Sequence, residues 1–185
     1  QTKKLEKKWM SLMKKLNLIL SSFLIVLFII LSNNSHSKDR VFVGTAKVID
    51  GDTIKINNNK IRLFGIDAPE KKQICKKIYL SIIIFHFQKE YNCGRESSLA
   101  LSKKLKNKKI KCILDNKKDR YNRFIGTCYV EAQDINSWLV KKGYAVAYKR
   151  YSKKYIFDEK YAKENRLGIW RGTFMEPEKW RRNMN

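Results

Sequence analysis

The fold is decided by one stretch of the sequence, from Val48 to Glu70, which reads VIDGDTIKINNNKIRLFGIDAPE. After Asp52 the residues TIKI alternate between polar and apolar side chains, which is typical of a half-buried strand. The three asparagines that follow predict a hairpin turn, because asparagine tolerates the left-handed backbone conformation. Residues 60–66 then predict a returning antiparallel strand, so Asp52 is expected to lie near Asp67 and Glu70.

Three converging carboxylates repel one another, so this arrangement requires a shared cation or a positive side chain. A hard divalent ion meets the requirement, since calcium and magnesium bind carboxylate and carbonyl oxygens and keep several waters, one of which can be activated. Arg62, on the returning strand, adds a fixed cation that can bind a phosphate through two hydrogen bonds. Together these groups favour phosphoryl-transfer chemistry.

This stretch resembles the active-site hairpin of the staphylococcal nuclease (thermonuclease) family. The resemblance continues through DRYNR at residues 119–123 and GIW at residues 168–170, and it covers about residues 41–181. The order and spacing of these motifs make it specific, whereas DGDT alone is a weak signal. The resemblance implies an α+β fold, a five-stranded oligonucleotide-binding (OB) β-barrel with about three α-helices.

The resemblance also implies a role for each charged residue of the hairpin. Glu70 is expected to be the general base, and Arg62 and Arg123 are expected to bind the scissile phosphate, with Arg123 also assisting the leaving group. One calcium ion is expected per active site, with three ligands: Asp52, Asp67 and the backbone carbonyl of Ala68. The founding member of the family has threonine where this chain has alanine, so a side-chain hydroxyl contact to the ion's water shell is absent here.

Four further residues are expected to contact the nucleic acid. Arg120 and Tyr121 resemble the family's contacts to nucleotide phosphates, and Tyr148 and Tyr151 fall where aromatic side chains flank the base. Stacking on an aromatic ring tolerates any base, which favours an enzyme with little sequence specificity. The alternative for Tyr148 and Tyr151 is that they are ordinary surface tyrosines.

Residues 1–37 are predicted to be a signal peptide or an N-terminal membrane anchor, and residues 38–185 the nuclease domain. Lysines precede an apolar run from Leu16 to Leu31, as in the n-region and h-region of a signal peptide. Small residues before position 38 favour cleavage after Ser37, and the alternative is an uncleaved anchor that contacts the membrane through residues 16–31. The protein is therefore expected to be exported: periplasmic or secreted, or membrane-anchored if the leader is retained.

The net charge favours a polyanionic partner. Residues 1–37 contain six lysines and one glutamate, so removing them lowers the formal charge from +24 to +19. A chain of this length predicts one domain, and an excess of this size favours DNA and RNA as partners. No obligate protein partner is evident. The alternative is that the abundance of Lys, Asn and Ile reflects an AT-rich genome.

The remaining elements follow from periodicity and from turn residues. Predicted strands span residues 41–49, 109–114 and 124–130, with a turn at 115–118 and a short extended segment at 144–148. Predicted helices span residues 95–106, 135–142 and 155–165, the last of them being the final helix. Asp134 is expected to cap the second helix at its start and Gly143 at its end.

An apolar segment at about residues 76–90 departs from the family pattern. Its densest part, Ile78 to Phe87, fits no helical stripe and is too short to span a membrane. It is an inserted hairpin, a membrane-touching segment or a partner surface. Residues 71–77 before it are expected to form a loop.

The four cysteines are predicted to form two disulfides, since an exported chain folds in an oxidising compartment. Cys112 and Cys128 lie on the two arms of the second predicted hairpin, and Cys75 and Cys93 bracket the apolar segment. These pairs are one of three connectivities. Metal binding is the less favoured alternative, because the sequence contains no CxxC spacing.

Three functions follow from these patterns. The first is an exported, calcium-dependent nuclease that hydrolyses DNA and RNA with low specificity and leaves 3′-phosphate ends. The second is a non-catalytic nucleic-acid-binding OB-fold protein at the cell envelope. The third is an interaction protein that contacts a membrane through residues 78–87. Retention of the carboxylate base argues against the second, since binding requires basic and aromatic residues but no base.

Overall fold

The computed structural model describes residues 2–31 and 40–184, which fall into two compact units, residues 1–38 and 39–185. The first unit contains one helix, α1, Thr2–Leu31. Within the described residues, no helix combines the length and apolar character needed to cross a membrane. The expected cleavage site after Ser37 lies outside the described residues.

The second unit mixes strands and helices, so the expected α+β class is confirmed. Its strands are β1 Arg40–Gly44, β2 Ala46–Asp50, β3 Thr53–Ile56, β4 Asn59–Leu63, β5 Ile66–Asp67, β6 Ile74–Ile82, β7 Phe85–Asn92, β8 Ile110–Lys118, β9 Phe124–Val130, β10 Gln133–Asp134, β11 Val146–Ala147 and β12 Gly172–Thr173. Its helices are α2 Cys93–Leu105, α3 Ile135–Lys141, α4 Ile156–Glu164 and α5 Pro177–Met184, with a 3₁₀ helix at Gly168–Arg171.

The main sheet is curled, with the strand order β1-β8-β9-β4-β3-β2 and β10 beside β9. Its pairs are antiparallel except for the parallel pair β4–β9. The two end strands, β1 and β2, are separated in the sequence by Thr45 alone. The single strand predicted at residues 41–49 is therefore two half-strands with different partners, because the chain bends between them.

The core lies between the curled sheet and the helices. Ile54 and Ile61 from the sheet and Leu101 and Leu139 from α2 and α3 are each at most 1% exposed. Burial of branched apolar side chains from both layers is the main stabilising contribution, about 1.5–3 kcal/mol for each side chain. This packing fixes the β3–β4 hairpin. The charged residues lie at the end of the hairpin opposite its turn, where the chain enters β3 and leaves β4.

The predicted caps of α3 are confirmed. Asp134 accepts a hydrogen bond from the Ser137 amide at 3.0 Å, which satisfies one of the free N–H groups at the helix start. Gly143 follows the end of the helix with φ +71°, a conformation that glycine adopts without a steric penalty.

The second hairpin turns later than predicted. Strand β8 continues through the predicted turn at 115–118, and the chain reverses at residues 119–123 instead. There the Asp119 carboxylate accepts hydrogen bonds from the amides of Tyr121 and Arg123, both at 2.9 Å, and Asn122 has φ +60°. An aspartate that bonds to the backbone ahead of it stabilises a turn more strongly than the Asn-Lys run does.

Among the described residues, the second unit has four α-helices where about three were expected, so the predicted count differs from the structure. The predicted final helix corresponds to α4, and the prediction missed α5, which follows it. Eight residues give too few turns for a periodic pattern to be decisive. Helix α5 nevertheless contributes to the site described below.

The apolar segment forms an inserted hairpin, β6–β7, so strand begins at Ile74 within the predicted loop. Both predicted disulfides are present, Cys75–Cys93 with a Cα–Cα distance of 5.6 Å and Cys112–Cys128 with 4.0 Å. The first ties the base of the inserted hairpin to α2. The second crosslinks residues directly opposite each other on β8 and β9.

Candidate active site

The β3–β4 hairpin brings the predicted carboxylates together. Asp52 and Asp67 are 5% and 1% exposed, and the Arg62 guanidinium lies between them. Its two terminal nitrogens are 2.6 Å from Asp52 Oδ1 and 2.9 Å from Asp67 Oδ1. The convergence expected from the antiparallel return is therefore present, and an arginine supplies positive charge between the two carboxylates.

The electrostatics of this group depend on burial. Burial raises the pKa of Asp67, whereas the neighbouring guanidiniums act to lower it. Burial acts to lower the pKa of Arg62, but the charges of Asp52 and Asp67 outweigh it and raise that pKa. Arg62 is therefore a permanent cation at the site.

A second arginine, Arg181 on α5, completes the group. Its Nη1 lies 2.8 Å from Glu70 Oε1, and its Nη2 lies 2.9 Å from Asp67 Oδ2. Arg181 was not among the residues predicted for the site, because it is more than 100 residues distant from Glu70 along the chain and nothing in WRRNMN distinguishes it from Arg182. The C-terminal helix thus contacts the predicted base and a predicted metal ligand.

Gln73 makes a second connection between the Glu70 loop and the C-terminal segment. Its fully buried side chain accepts a hydrogen bond from the Glu70 amide at 3.2 Å and donates one to the Met175 carbonyl at 2.6 Å. Gly94, at the start of α2, lies so close that an added Cβ would be 1.8 Å from the Glu70 carbonyl oxygen. Glu70 therefore lies on a loop that is held from two sides.

Arg123 reaches the site from the β8–β9 turn. Its side chain lies 2.7 Å from Asp119 Oδ2 and donates to the Thr53 hydroxyl at 3.2 Å. The same hydroxyl donates to Asp52 Oδ1 at 2.9 Å. Burial acts to raise the pKa of Asp119, but the hydrogen bonds from Arg123 outweigh it and lower that pKa. Thr53 therefore connects Arg123 to the carboxylates.

The four predicted substrate contacts lie in two places. Tyr121 is exposed beside Arg120 and Arg123, whose guanidinium carbons are 4.9 and 5.2 Å from its ring centre. Tyr148 and Tyr151 pack edge to face with ring centres 4.7 Å apart, and the Tyr148 ring centre is 6.0 Å from the Arg62 guanidinium. Each pair thus adjoins one of the two predicted phosphate-binding arginines.

Asp50 lies close to the same group. Burial is the main cause of the raised pKa of Asp50, and the negative charges of Asp52 and Glu70 raise that pKa further. Gly51 follows it, and a Cβ there would be 2.5 Å from the Ser97 hydroxyl, so a side chain at this position has no room. The excess of carboxylates over arginines makes the site receptive to another cation.

The oxygen donors suit a hard divalent ion, although the present contacts involve arginines. Among the described residues, no group of three or more His, Cys, Asp or Glu side chains is arranged to hold a metal. Ala68, predicted as a carbonyl ligand, donates its amide to Asp52 Oδ2 at 3.2 Å. Two buried carboxylates with Glu70 and Asp50 nearby fit calcium or magnesium chemically, and an ion bound there would compete with Arg181 for Asp67.

Residues 60–172 match the family model described as staphylococcal nuclease homologue. The succinoglycan biosynthesis protein ExoI of Rhizobium meliloti is 36% identical over 149 residues, which are 79% of this chain and 73% of that protein. An uncharacterized endonuclease of Haemophilus influenzae is 34% identical over 172 residues, 89% of this chain and 85% of that protein. Endonuclease YncB of Bacillus subtilis is 30% identical over 152 residues, which are 73% of this chain and 65% of that protein.

Proposed function

Because the chain belongs to the staphylococcal nuclease homologue family, we propose that it is an exported, calcium-dependent nuclease that hydrolyses DNA and RNA with low sequence specificity and leaves 3′-phosphate ends. The family and the relatives named endonucleases agree with a hydrolase that acts on phosphodiester bonds. The observation that carries the proposal is the cluster of Asp52, Asp67, Glu70 and Arg62 at one end of the β3–β4 hairpin.

The proposed reaction is the attack of water on phosphorus, opposite the leaving 5′ oxygen. Glu70 takes the proton of the water, and its place on a loop beyond the buried strand allows it to reach solvent. Arg62 and Arg123 bind the phosphate oxygens and stabilise the charge that accumulates in the transition state. Arg123 also assists the leaving oxygen, so the 3′ side of the cleaved bond keeps the phosphate.

The expected cofactor is one calcium ion, held by Asp52, Asp67 and the carbonyl of Ala68. When bound, it supplies further positive charge at the phosphate and an activated water. Arg181 occupies Oδ2 of Asp67 and Oε1 of Glu70, so we infer that it must release Oε1 before that oxygen can accept a proton from water.

Substrate strands are expected to lie along the two aromatic pairs. Tyr148 and Tyr151 stack on a base, and Arg120 and Tyr121 contact the adjacent phosphates. Their exposure supports this placement, since Tyr121 and Tyr151 are 63% and 65% exposed. Stacking and phosphate contacts do not distinguish bases, which is the reason for the proposed low specificity.

We also propose that residues 1–37 are a leader or an anchor and that residues 38–185 are the nuclease domain. The support for export is the pair of disulfides, which persist in oxidising compartments. The bent strand β1–β2, which supplies both ends of the main sheet, supports the interpretation of that sheet as a five-stranded OB barrel.

The proposal is tested by incubating the protein with single-stranded DNA and with RNA, with calcium or with a chelator. We expect both substrates to be cleaved in calcium. The products should carry 3′-phosphate groups that a phosphatase can remove. Tight binding without cleavage would instead identify a non-catalytic nucleic-acid-binding protein. Cleavage that is undiminished by the chelator would contradict the metal requirement.

A further inference from the structure

The tip of the inserted hairpin β6–β7 is apolar and exposed. Four consecutive residues at its turn, Ile82 to Phe85, are 51%, 92%, 77% and 64% exposed. Ile83 has φ +52°, a conformation that is strained for a β-branched residue and that a turn built for stability assigns to glycine or asparagine. Stability of the turn therefore does not explain why isoleucine stands at position 83. Backbone strain of this kind is common at functional sites.

The apolar surface extends from the tip along one face of the hairpin. Strand pairing sets Leu80 opposite Phe87 and Ile82 opposite Phe85, so these side chains share a face, and all four are exposed. Ser81 and His86 form the intervening pair on the other face, where their side chains hydrogen-bond at 3.0 Å. The hairpin is therefore amphipathic, with its polar groups paired to each other.

Positive charge surrounds the base of the hairpin. Five lysines lie on the two strands and on the preceding loop: Lys71, Lys72, Lys76, Lys77 and Lys89. Glu90 is the acidic residue of the two strands, and it pairs with one of these lysines at 3.8 Å. The hairpin therefore has an apolar tip and positive charge at the other end of its strands. This arrangement is complementary to a layer with an apolar interior and a negatively charged surface.

We propose that the tip of β6–β7 inserts into the interfacial region of an anionic lipid membrane, with the lysines at its base on the headgroups. Amphipathic elements of this composition bind at the boundary between headgroups and acyl chains. A nucleic acid offers phosphates to the lysines but no apolar phase for three isoleucines and a phenylalanine.

The backbone limits the depth of insertion. Among the described strands, β7 pairs with β6 alone, and β12 covers β6 at Lys76 and Lys77, near the base. The outer edges of the two strands near the tip therefore carry backbone groups without strand partners, which are costly to place in hydrocarbon. The tip enters the interface, and the rest of the hairpin remains hydrated. This proposal does not depend on nuclease activity.

Hydrogen exchange of the 185-residue chain reports on each segment separately, so binding of α1 to lipid does not obscure the result at the hairpin tip. The protein is mixed with vesicles of phosphatidylcholine alone or with one quarter phosphatidylglycerol. We expect amide exchange across residues 78–88 to slow at least threefold with the anionic vesicles. The double variant Ile83→Asp, Ile84→Asp should lose this protection, whereas Ile74→Asp, an exposed position at the base of the same hairpin, should keep it.

Both variants change exposed side chains, and unchanged circular dichroism and intact disulfides show that they are folded. Slowed exchange of α1 with no change at the tip would overturn the proposal. Protection of the tip by a DNA oligonucleotide and not by vesicles would also overturn it, and would assign the hairpin to the nucleic acid.

Discussion

Arg181 Nη1 lies 2.8 Å from Glu70 Oε1, which joins the C-terminal helix to the proposed general base. The same guanidinium lies 2.9 Å from the buried Asp67. It shares Asp67 with Arg62, and it would compete with any metal ion that binds Asp67 or Glu70. Arg181 is therefore expected to affect both the stability of the metal-free domain and the affinity for calcium.

Replacing Arg181 by glutamine is expected to raise calcium affinity about three- to tenfold, because a competing cation is removed. It should also lower the metal-free unfolding free energy by about 1 kcal/mol, a modest figure because the side chain is 32% exposed. Calcium titration by calorimetry and urea unfolding in chelator measure the two effects. Arg182→Gln is the matched control, since that neighbour pairs with Glu178 outside the site. Equal calcium affinities in all three proteins would refute the competition.

Arg123→Ala is expected to lower kcat/KM for single-stranded DNA about 100-fold, since one placed donor to a transition-state oxygen commonly contributes this much. Lys117→Ala, which removes an exposed positive charge from β8, should change it less than threefold. Steady-state cleavage at fixed salt measures both. Comparable losses in the two variants would mean that general basicity, and not a placed phosphate contact, explains the activity.

The stability supplied by Asp119 is expected to depend on pH. Its pKa is lowered in the folded state from the ordinary 3.8, because Arg123 and the turn amides bond to the ionised form. Asp119 therefore contributes its full stabilisation of the fold above pH 3.8, the ordinary pKa of the group. This stabilisation is lost as the pH falls through the lower pKa that Asp119 has in the folded state.

Thermal melts of the parent and of Asp119→Asn between pH 7 and pH 3 measure this dependence. The parent should melt a few degrees higher at neutral pH, and the difference should shrink below about pH 4. Asp115→Asn, an exposed position on β8, should show no such convergence. A difference in melting temperature that stays constant from pH 7 to pH 3 would show that the ionised Asp119 carboxylate does not stabilise the turn.

Gln73→Leu is expected to lower the unfolding free energy by about 1–3 kcal/mol, because it leaves the Glu70 amide and the Met175 carbonyl without their buried partner. Urea unfolding measures this loss. The variant should also increase proteolysis after Arg181 and Arg182, since the C-terminal segment loses one of its connections to the loop. Gln88→Leu on the exposed hairpin is the control, and an equal loss in that variant would contradict the assignment.

Local patterns were sufficient for the parts of the fold that adjacent residues determine. Alternation and a run of asparagines predicted the β3–β4 hairpin, and the antiparallel return predicted that Asp52 and Asp67 would meet. The pair Cys112–Cys128 followed from the same reasoning, since residues on opposite arms of a hairpin face each other. The pair Cys75–Cys93 was predicted because these residues bracket the inserted segment. These predictions depend on separations of fewer than 20 residues.

The missed features depend on tertiary structure. Arg181 reaches Glu70 only after the whole domain has folded, so no local pattern marks it. The bend at Thr45 is set by the closure of the sheet around its core. The late turn at Asp119 is a different case, since it is set by local hydrogen bonds from Tyr121 and Arg123 to the Asp119 carboxylate. For Arg181 and for the bend at Thr45, contacts between distant parts of the chain outweigh the local propensity.

Glu70 is proposed to be the base of a phosphodiesterase site, and the single-turnover cleavage rate of Glu70→Gln in calcium tests this role. The expected rate is at least about 100-fold below that of the parent, with the dissociation constant for the oligonucleotide changed less than about threefold. Glu90→Gln, on the exposed hairpin, should cleave at the parental rate. A Glu70→Gln protein that also cleaves at near-parental rate would contradict the account.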